Sequence, residues 1–552
     1  MLSLFFRSYS QKLNWLKGLG GINNDVAYAI TVDTFGNVYT TGSFEDKADF
    51  DPDTNNYYLT SNGSQGIYIS KLDTSGNFVW AKSMGGNSND LGYSITVDIF
   101  GNIYTTGWFQ NTIDFDPGAN THNLTSEGNY DIFISKLNSS GNFIWAKTIG
   151  GMSDDFGSKI ITDQFGNIYI IGYYRGNVDF NPGIESYYLN STGTSDIFIL
   201  KLDSQGNFIW SKSFGGLHID SGRSIAIDKS GNIYATGTFN ETADFDPSNS
   251  MYNLTSKGNA DIFIFKLDYS GNFIWAKSIG GLSIDVGNSI VVDTSGSVYT
   301  TGYFYGTVDF NPNIGSYNLT SNGSDDIFIL KLDDDGNFVW AKAIGSSNSD
   351  NSFALTLDLS GNSYTTGFFQ GITYFDSNDS SNYLKSIGIS DAFILKLDTN
   401  GNFTWVRSIG GKGGENGFGI ALDLKGNIYT TGNFFSKAEY EPGSGSALLN
   451  SAGGVDVFVL KLNDGVTTNN ENVLINSDVF SIYPNPSVNV ININVNQDLL
   501  GFSYIITNET GKQLKKGKLM NSITQLDISQ LMPSIYFIQI GEYRKKLIKV
   551  AK

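Results

Sequence analysis

The chain has 552 residues, far more than one domain core uses, so we expect repeats or several domains. Its formal net charge of −19 argues against nucleic acid as a partner, because phosphate binding needs a basic surface. The chain has 0 cysteines, which excludes disulfides and thiolate metal sites.

Residues 1–11 are interpreted as a possible remnant of an export signal. The apolar run that begins at Met1 stops at Arg7, and no small-residue cleavage site follows it. The chain also lacks a stretch of about 18 apolar residues, so no transmembrane segment is expected.

A period of 65 residues organises most of the chain. Seven of the eight tryptophans follow it, at Trp15, Trp80, Trp145, Trp210, Trp275, Trp340 and Trp405. An aspartate that ends an apolar run and a tyrosine six residues later keep the same period, as Asp98 and Tyr104 do. A fixed period of this kind indicates a repeat architecture.

Each period predicts four short strands, named A to D. In the second repeat they cover residues 93–98, 103–109, 131–137 and 143–148. Turns rich in Gly, Asn, Asp and Ser join A to B and C to D, as tight hairpins require. Four strands per unit, repeated radially, predict an all-β fold, a seven-bladed β-propeller with four-stranded blades.

The two ends of the repeat region predict ring closure. Lys12–Gly21 has the pattern of strand D without A, B or C before it, and the last repeat ends after strand C at Asn463. If these strands pair, the amino-terminal strand completes the last blade and removes the exposed edges. The predicted propeller therefore spans residues 12–463.

The repeated motif is seen in "IYISKLDTSGNFVW" at 67–80 and "IFILKLDSQGNFIW" at 197–210. It resembles the SBBP-type β-propeller repeat, and the resemblance extends over the repeat region. That family implies an architecture without a shared activity, so the resemblance leaves the function open.

After Asn463 the period stops, and a polar linker over residues 464–478 precedes alternating strands over 479–552. These strands predict a small β-sandwich. Its motifs resemble the type A C-terminal sorting domain of the bacterial type IX secretion system: Tyr483-Pro484-Asn485-Pro486, "GKQL" from Gly511, "LDIS" at 526–529 and Ile535-Tyr536. The resemblance implies that the secretion machinery binds 479–552 and that the protein is extracellular or attached to the outer surface. An ordinary accessory sandwich is the alternative.

The long B–C and D–A connections should share one face of the propeller, because chain direction alternates from strand to strand. Recognition is expected on this long-loop face. An acidic residue precedes each strand A there: Asp25, Asp90, Asp155, Asp220, Asp285, Asp350 and Glu415. These carboxylates either ring the channel mouth and attract cations, or accept hydrogen bonds from loop amides.

Alternate carboxylates in the motif "DFDP" offer a possible Ca²⁺ site in the B–C connection. They are Asp49, Asp51, Asp114, Asp116, Asp244 and Asp246. Carboxylate oxygens suit Ca²⁺, but an EF-type loop is absent, so a purely structural turn is the alternative and otherwise no cofactor is expected.

The position that ends strand B varies among repeats and includes Trp108, Tyr173, Tyr303 and Phe368. Variable aromatic side chains near a loop-rich face suit contact with a sugar or a peptide, and packing between blades is the alternative.

The only two histidines, His122 and His218, occupy non-equivalent repeat positions, so no histidine-based triad is expected. We therefore expect a non-catalytic, monomeric binding or adhesion module for a glycan or protein ligand. A polysaccharide hydrolase or lyase that uses paired carboxylates is one alternative, and a passive surface scaffold is another.

Overall fold

The computed structural model describes residues 11–376, 379–441, 447–464, 480–484, 487–495, 501–508, 513–532, 534–540 and 543–550. All regular structure in these residues is β-strand. No helix there is long and apolar enough to cross a membrane. The chain forms two compact units, residues 1–466 and 467–552. Most of the predicted signal remnant (1–11) and linker (464–478) lies outside the described residues.

Strand β1 (Lys12–Gly21) precedes the repeats. The first repeat contains β2 (Asp25–Val32), β3 (Val38–Phe44), β4 (Lys47–Asp49), β5 (Tyr58–Thr60), β6 (Gly66–Leu72) and β7 (Phe78–Met84). The second contains β8 (Leu91–Val97), β9 (Ile103–Phe109), β10 (Thr112–Asp114), β11 (Asn123–Thr125), β12 (Asp131–Leu137) and β13 (Phe143–Ile149). The third contains β14 (Phe156–Thr162), β15 (Ile168–Tyr174), β16 (Asn177–Asp179), β17 (Tyr188–Asn190), β18 (Asp196–Leu202) and β19 (Phe208–Gly216).

The fourth repeat contains β20 (Ser221–Ile227), β21 (Ile233–Phe239), β22 (Thr242–Asp244), β23 (Asn253–Thr255), β24 (Asp261–Leu267) and β25 (Phe273–Ile279). The fifth contains β26 (Val286–Val292), β27 (Val298–Asp309), β28 (Asn318–Leu332) and β29 (Phe338–Ile344). The sixth contains β30 (Asn351–Leu357), β31 (Ser363–Phe369), β32 (Ile372–Tyr374), β33 (Tyr383–Lys385), β34 (Asp391–Leu397) and β35 (Phe403–Gly411). The seventh contains β36 (Asn416–Leu422), β37 (Asn427–Tyr440) and β38 (Leu448–Asn463).

The repeats form seven four-stranded antiparallel sheets, each in the order A-B-C-D, as in β2-β3-β6-β7. In the seventh sheet β1 takes the place of strand D and pairs with β38, where Leu16 lies opposite Leu460. Strand A of each sheet lies beside strand A of the next, and β36 of the seventh lies beside β2 of the first. The repeat region is thus a β-propeller.

The B–C connection contains structure that the sequence analysis treated as a long loop. In five repeats two three-residue strands form a separate hairpin there, as β4 does with β5. In the fifth and seventh repeats the same hairpin is continuous with strands B and C, which explains the length of β27 and β28. The aromatic residue that follows the first strand of each hairpin is buried, as Phe50, Phe115 and Tyr440 are, so this motif anchors the hairpin to the core.

The hydrophobic cores lie between successive sheets. Between the first and second sheets, Tyr39, Ile67 and Ile69 pack against Ile95 and Phe109. The last and first sheets share a core of the same kind, in which Val457 and Val459 pack with Val38, Phe44 and Phe50. Because each sheet is covered on both faces, strand C of the second sheet is buried along its whole length, and strand B is buried at every residue except Trp108.

A lysine and a tryptophan of one sheet contact the C–D turn of the next sheet. In the first sheet Trp80 Nε1 donates to Ser139 O at 3.3 Å, and Lys71 Nζ donates to the same oxygen at 3.2 Å. The Lys71 ammonium also lies 5.0 Å above the Tyr39 ring. The turn approaches Trp80 through Gly141, whose φ is +76°, and a Cβ there would lie 3.1 Å from the indole. This contact explains why Lys, Tyr, Trp and the turn glycine share one period.

The same contact joins the seventh sheet to the first. Trp15 Nε1 donates to Thr74 O at 3.3 Å, and Lys461 Nζ donates to it at 2.8 Å. Trp15 is near the start of the described chain and Lys461 is in the last strand of the repeat region. Residues from the two ends of the repeat region therefore together make the contact that the lysine and tryptophan of an internal repeat make with the next repeat.

Buried carboxylates hold the loops on the long-loop face, one in every repeat and a second in every repeat except the first, where Gly66 takes its place. Asp155 Oδ2 accepts from Gly151 N at 2.9 Å, and its Oδ1 accepts from Arg175 N at 3.0 Å. One side chain thus ties the D–A connection to the end of strand B. The six equivalent acidic residues are likewise buried and accept the corresponding loop amides.

The second carboxylate is at the start of strand C, as Asp131 is. Its Oδ2 accepts from Glu127 N at 2.9 Å, whereas its Oδ1 is buried without a hydrogen bond. The Asp131 carboxyl group fills the space that a side chain at position 150 would need. A Cβ added to Gly150 would lie 2.1 Å from Asp131 Cγ. Burial raises the pKa of Asp131 to about 6, and burial together with the nearby Asp131 raises the pKa of Asp155 to about 7.

The unit at 467–552 has its own core. Its strands are β39 (Phe480–Tyr483), β40 (Val490–Val495), β41 (Ser503–Asn508), β42 (Gln513–Lys518), β43 (Ile523–Asp527), β44 (Ser534–Ile540) and β45 (Tyr543–Lys549). They form two sheets, β39-β40-β43 and β42-β41-β44-β45. Ile491 and Ile493 from one sheet share a core with Ile506 and Ile538 from the other.

The pairing of β1 with β38 can be tested by cross-linking, because the chain has 0 cysteines. We expect the double variant Leu16→Cys, Leu460→Cys to form a disulfide on mild oxidation, since these residues are cross-strand partners. Non-reducing electrophoresis and mass spectrometry would detect the intramolecular link. The control pair is Leu16→Cys with Leu395→Cys, which lies at the same strand C position one repeat earlier. Equal cross-linking of both pairs would contradict the closure.

The buried carboxyls predict an unusual dependence of stability on pH. A carboxyl whose pKa is higher in the folded state binds its proton more tightly there. Its contribution is therefore complete below the ordinary value of 3.8 and is lost as pH rises through its folded pKa. We expect the free energy of unfolding of the propeller to fall between about pH 4 and pH 8.

The variant Asp131→Asn isolates one of these groups. An amide keeps the acceptor for Glu127 N and places a donor where the carboxylate had an unpaired oxygen. We expect the variant to be more stable than the native chain at pH 8, by about 1–3 kcal/mol, with little gain at pH 5. Thermal melts at the two pH values measure the difference, and the exposed turn variant Asp335→Asn is the control. An equal effect at both pH values would contradict the raised pKa.

Candidate functional site

Strand A of every sheet carries a β-bulge at the same position. In the first sheet Ala27 is opposite Gly42 and Ala29 is opposite Thr41, which leaves Tyr28 without a cross-strand partner. A bulge re-aims the extra side chain, and here it does so once per repeat. The bulge residues are Tyr28, Tyr93, Ser158, Arg223, Asn288, Phe353 and Phe418.

All seven bulge side chains line one cavity of about 310 Å³, where the seven A strands meet. Each is half-buried. Phe156, Lys159 and Ser221, also on strand A, contribute to the wall, as do Trp108 and Tyr173 from strand B. We call this space the central channel.

Aromatic rings cover one side of the central channel in an unbroken series. Tyr28 stacks on Tyr93 at 5.5 Å between ring centroids, and Tyr93 lies 5.7 Å from Trp108. In the other direction Tyr28 lies 5.6 Å from Phe418, and Phe418 lies 5.0 Å from Phe353.

The series extends past Trp108 through Phe156, whose ring centroid is 5.1 Å from that of Trp108. Phe156 stacks in turn on Tyr173 at 4.9 Å. Rings held edge to face or offset in this way stabilise one another and form a fixed apolar wall.

Polar side chains cover the other side of the central channel. Arg223 Nη1 donates to Asn288 Oδ1 at 3.4 Å, and Asn288 Nδ2 donates to Ser352 O at 2.9 Å. Arg223 Nε is buried without a hydrogen-bond partner. Burial lowers the pKa of Lys159, because the charged ammonium is desolvated there. No Asp or Glu of the described chain lines this cavity.

Of the four strand B residues predicted to bind a ligand, Trp108 and Tyr173 line the central channel. Burial raises the pKa of Tyr173, and the nearby Arg223 and Arg175 guanidiniums oppose that rise. Phe368 is beside the channel and packs on Phe353 at 5.8 Å. Tyr303 contacts Tyr305 at 6.2 Å. Tyr303 and Phe368 are not part of the wall.

The seven acidic residues before strand A do not form an exposed ring at the channel mouth. Asp25, Asp90, Asp155, Asp220, Asp285, Asp350 and Glu415 each have 0% of their surface exposed. Their oxygens accept loop amides, which is the second of the two alternatives that the sequence allowed. Desolvation raises the pKa of each, to about 6 for Asp90 and to about 8 for Glu415.

The "DFDP" carboxylates also accept backbone amides. Asp114 Oδ1 accepts from Asp116 N at 3.0 Å and from His122 N at 2.8 Å, and Asp116 Oδ1 accepts from Gly118 N. Asp49 and Asp51, and Asp244 and Asp246, make the same contacts. The described residues contain no group of three or more His, Cys, Asp or Glu side chains arranged to hold a metal ion.

The bulge residues were missed in the sequence analysis, although one signal marks them. Tyr28 and its equivalents vary widely while the apolar residue two positions later stays Ile or Leu in every repeat. If side chains are assumed to alternate strictly between the two faces of strand A, this position is assigned to the wrong face. The bulge adds one residue and so shifts the alternation.

Two families match parts of the chain. The secretion system C-terminal sorting domain matches residues 481–550. The SBBP β-propeller repeat matches residues 14–43, 79–108, 144–173 and 209–245.

Among curated proteins, an uncharacterized WD repeat-containing protein of Acanthamoeba polyphaga mimivirus is 24% identical over 505 residues, or 76% of this chain and 36% of that protein. The regulatory protein FlaEY of Caulobacter vibrioides is 22% identical over 233 residues, or 40% of this chain and 24% of that protein. The chain therefore spans only about a third and a quarter of these two relatives.

Solved structures that align with the chain include Sqt1 from Chaetomium thermophilum, at a TM-score of 0.39 and 10% identity over 82% of this chain and 99% of that one. PorZ, a surface component of the type-IX secretion system of Porphyromonas gingivalis, aligns at a TM-score of 0.18 and 11% identity over 97% of this chain and 100% of that one. The sheets and the repeat matches together show that the repeat region is a β-propeller with segments of the SBBP repeat type, and residues 481–550 match a secretion system C-terminal sorting domain.

Proposed function

We propose that this protein is a non-catalytic, monomeric glycan-binding module at the cell surface or outside the cell, with its ligand site in the central channel. In this proposal the seven sheets are the seven blades of one closed ring. The neighbouring A strands and the pairing of β1 with β38 support that count. The two sheets of 467–552 would form a sandwich that the secretion machinery recognises.

One observation carries the proposal: the repeats diverge where their side chains meet at the axis. Turn residues, core residues and the Lys–Trp contact recur in nearly every repeat, because each repeat must pack against its neighbours in the same way. The seven bulge positions instead hold Tyr, Tyr, Ser, Arg, Asn, Phe and Phe. A passive scaffold has no need for such a mixed wall, whereas a ligand site does.

The chemistry of the wall favours a glycan. Tyr28, Tyr93 and Trp108 offer ring faces on which the C–H surface of a sugar can stack. Asn288 and Arg223 opposite them offer amide and guanidinium donors for sugar hydroxyls. The cavity of about 310 Å³ is at the small end of ligand pockets, which suits one or two sugar rings.

The same wall argues against glycoside hydrolysis in the channel. That reaction uses a pair of carboxyl groups about 5–10 Å apart on either side of the scissile bond. Among the described residues, none that lines the central channel is acidic. The buried pairs such as Asp131 and Asp155 are committed to loop amides, so binding without catalysis is the better supported alternative.

A glycan array probed with the full chain tests the proposal. We expect specific binding that Tyr93→Ala and Trp108→Ala each weaken at least tenfold, because each removes a stacking surface. Phe35→Ala is the control, since Phe35 is 83% exposed in an A–B turn. Thermal melts of each variant confirm folding. Silence across the array, or equal binding by all variants, would contradict a glycan site in the channel.

We also propose that the "DFDP" carboxylates are structural and hold no Ca²⁺. Their oxygens already accept backbone amides, as Asp114 Oδ1 does twice. Removal of divalent cations with EDTA should therefore leave the melting temperature of the full chain unchanged, and added CaCl₂ should not raise it. A fall of several degrees in EDTA that Ca²⁺ reverses would show a bound ion.

A further inference from the structure

The two cationic side chains of the central channel stand out in a strongly acidic protein. The chain has 54 acidic and 35 basic residues, yet the channel wall contains Lys159 and Arg223 and, among described residues, neither Asp nor Glu. The two cations are on neighbouring A strands, β14 and β20. The wall therefore has the sign of charge opposite to that of the whole chain.

Lys159 replaces a residue that has a structural role in other repeats. At the equivalent position Ser94 Oγ accepts from Ile160 N in the next sheet at 3.2 Å, and Ser289 Oγ accepts from Leu355 N in the same way. A lysine ammonium has no acceptor, so the third repeat cannot offer this contact to the fourth. The repeat thus loses a hydrogen bond between sheets and gains a charge in the channel.

Neither cation has an acidic partner in the part of the chain that the structure describes. The ion pairs of the propeller lie elsewhere, as the one between Arg175 and Asp154 at 3.4 Å does. Arg223 donates a hydrogen bond to the neutral Asn288, and its Nε is buried without an acceptor. A desolvated cation without a counter-charge is costly, and an anionic ligand would relieve that cost.

We propose that the central channel selects an acidic sugar, whose anionic group binds between Lys159 and Arg223 while its ring stacks on the aromatic side. Arg223 can hold a carboxylate or a sulfate through two N–H groups, and Lys159 adds a point charge. Phe156, in the strand that carries Lys159, stacks on Tyr173 and supplies the adjacent ring surface. This inference rests on the proposed glycan site and adds the charge of its ligand.

The repeats themselves supply the test variants. Lys159→Ser introduces the residue that the second, fourth and fifth repeats carry, and Arg223→Asn introduces that of the fifth. Both should fold, and Lys159→Ser should keep or raise the melting temperature. Arg175→Met is the matched control, because Arg175 is a nearby cation outside the channel wall.

The binding experiment uses the full chain and glycans in matched pairs: oligouronates against their methyl esters, and sulfated against unsulfated oligosaccharides. We expect the acidic member of a pair to bind at least tenfold more tightly, less so at high salt, and each channel variant to lose that preference. Arg175→Met should keep it. Sodium acetate and sulfate serve as probes of free anion binding.

The outcomes separate the two proposals. Equal binding of neutral and acidic glycans, unchanged in Arg223→Asn, would overturn the acidic-sugar inference and leave the glycan site standing. If acetate or sulfate bound as strongly as the oligosaccharides, the two cations would form only a general anion site. That result would also overturn the acidic-sugar inference. No binding to any glycan would overturn both.

Discussion

The contact between one sheet's lysine and tryptophan and the next sheet's C–D turn is the constraint on which the propeller depends. It places a cation, two aromatic rings and a carbonyl oxygen within a single contact between sheets, as Lys71, Tyr39, Trp80 and Ser139 show. Because each sheet both makes and receives such contacts, its orientation relative to its neighbours is set on both sides. The last link, from Trp15 and Lys461 to Thr74, joins residues from the two ends of the repeat region.

These contacts between sheets distinguish the residues that hold the sheets together from those that can vary. On the long-loop face, buried carboxyl groups also hold the structure, because they accept hydrogen bonds from loop amides at the cost of their own desolvation. Asp155 ties two connections together, and Asp131 fills the space left by Gly150. The turns and the inter-sheet cores hold strand A in the same way in every repeat. Its bulge position nevertheless holds residues as different as Tyr28 and Arg223, with the same bulge in the strand around them.

The central channel is therefore the place where a protein built from equivalent units can be asymmetric. Rings from Phe353 through Tyr28 to Tyr173 form one wall, and Arg223 and Asn288 belong to the other. This arrangement allows the wall to vary while the parts of each repeat that pack against neighbouring sheets stay the same. Residues 481–550, which match a secretion system C-terminal sorting domain, contribute to a hydrophobic core of their own.

Strands A to D, the tight turns between them and the partner of the first strand could all be predicted from the sequence, whereas the hairpin in the B–C connection could not. Those features depend on local chemistry that recurs every 65 residues, such as Asp98 accepting from Asn102 N and Tyr104 Oη at 2.9 and 3.0 Å. The predicted bounds of strands B and C in the second repeat agree with the structure, and strand A begins two residues earlier than predicted.

Which residues line the central channel and which carboxylates are buried is known only from the tertiary structure. The bulge shifts the side-chain alternation of strand A by one residue, so a period of two along the strand misplaces Tyr28. The aromatic wall joins Tyr28 to Phe418, residues that come together only through the association of the first and seventh sheets. A local pattern describes one sheet at a time, whereas the wall of the central channel combines residues from all seven sheets.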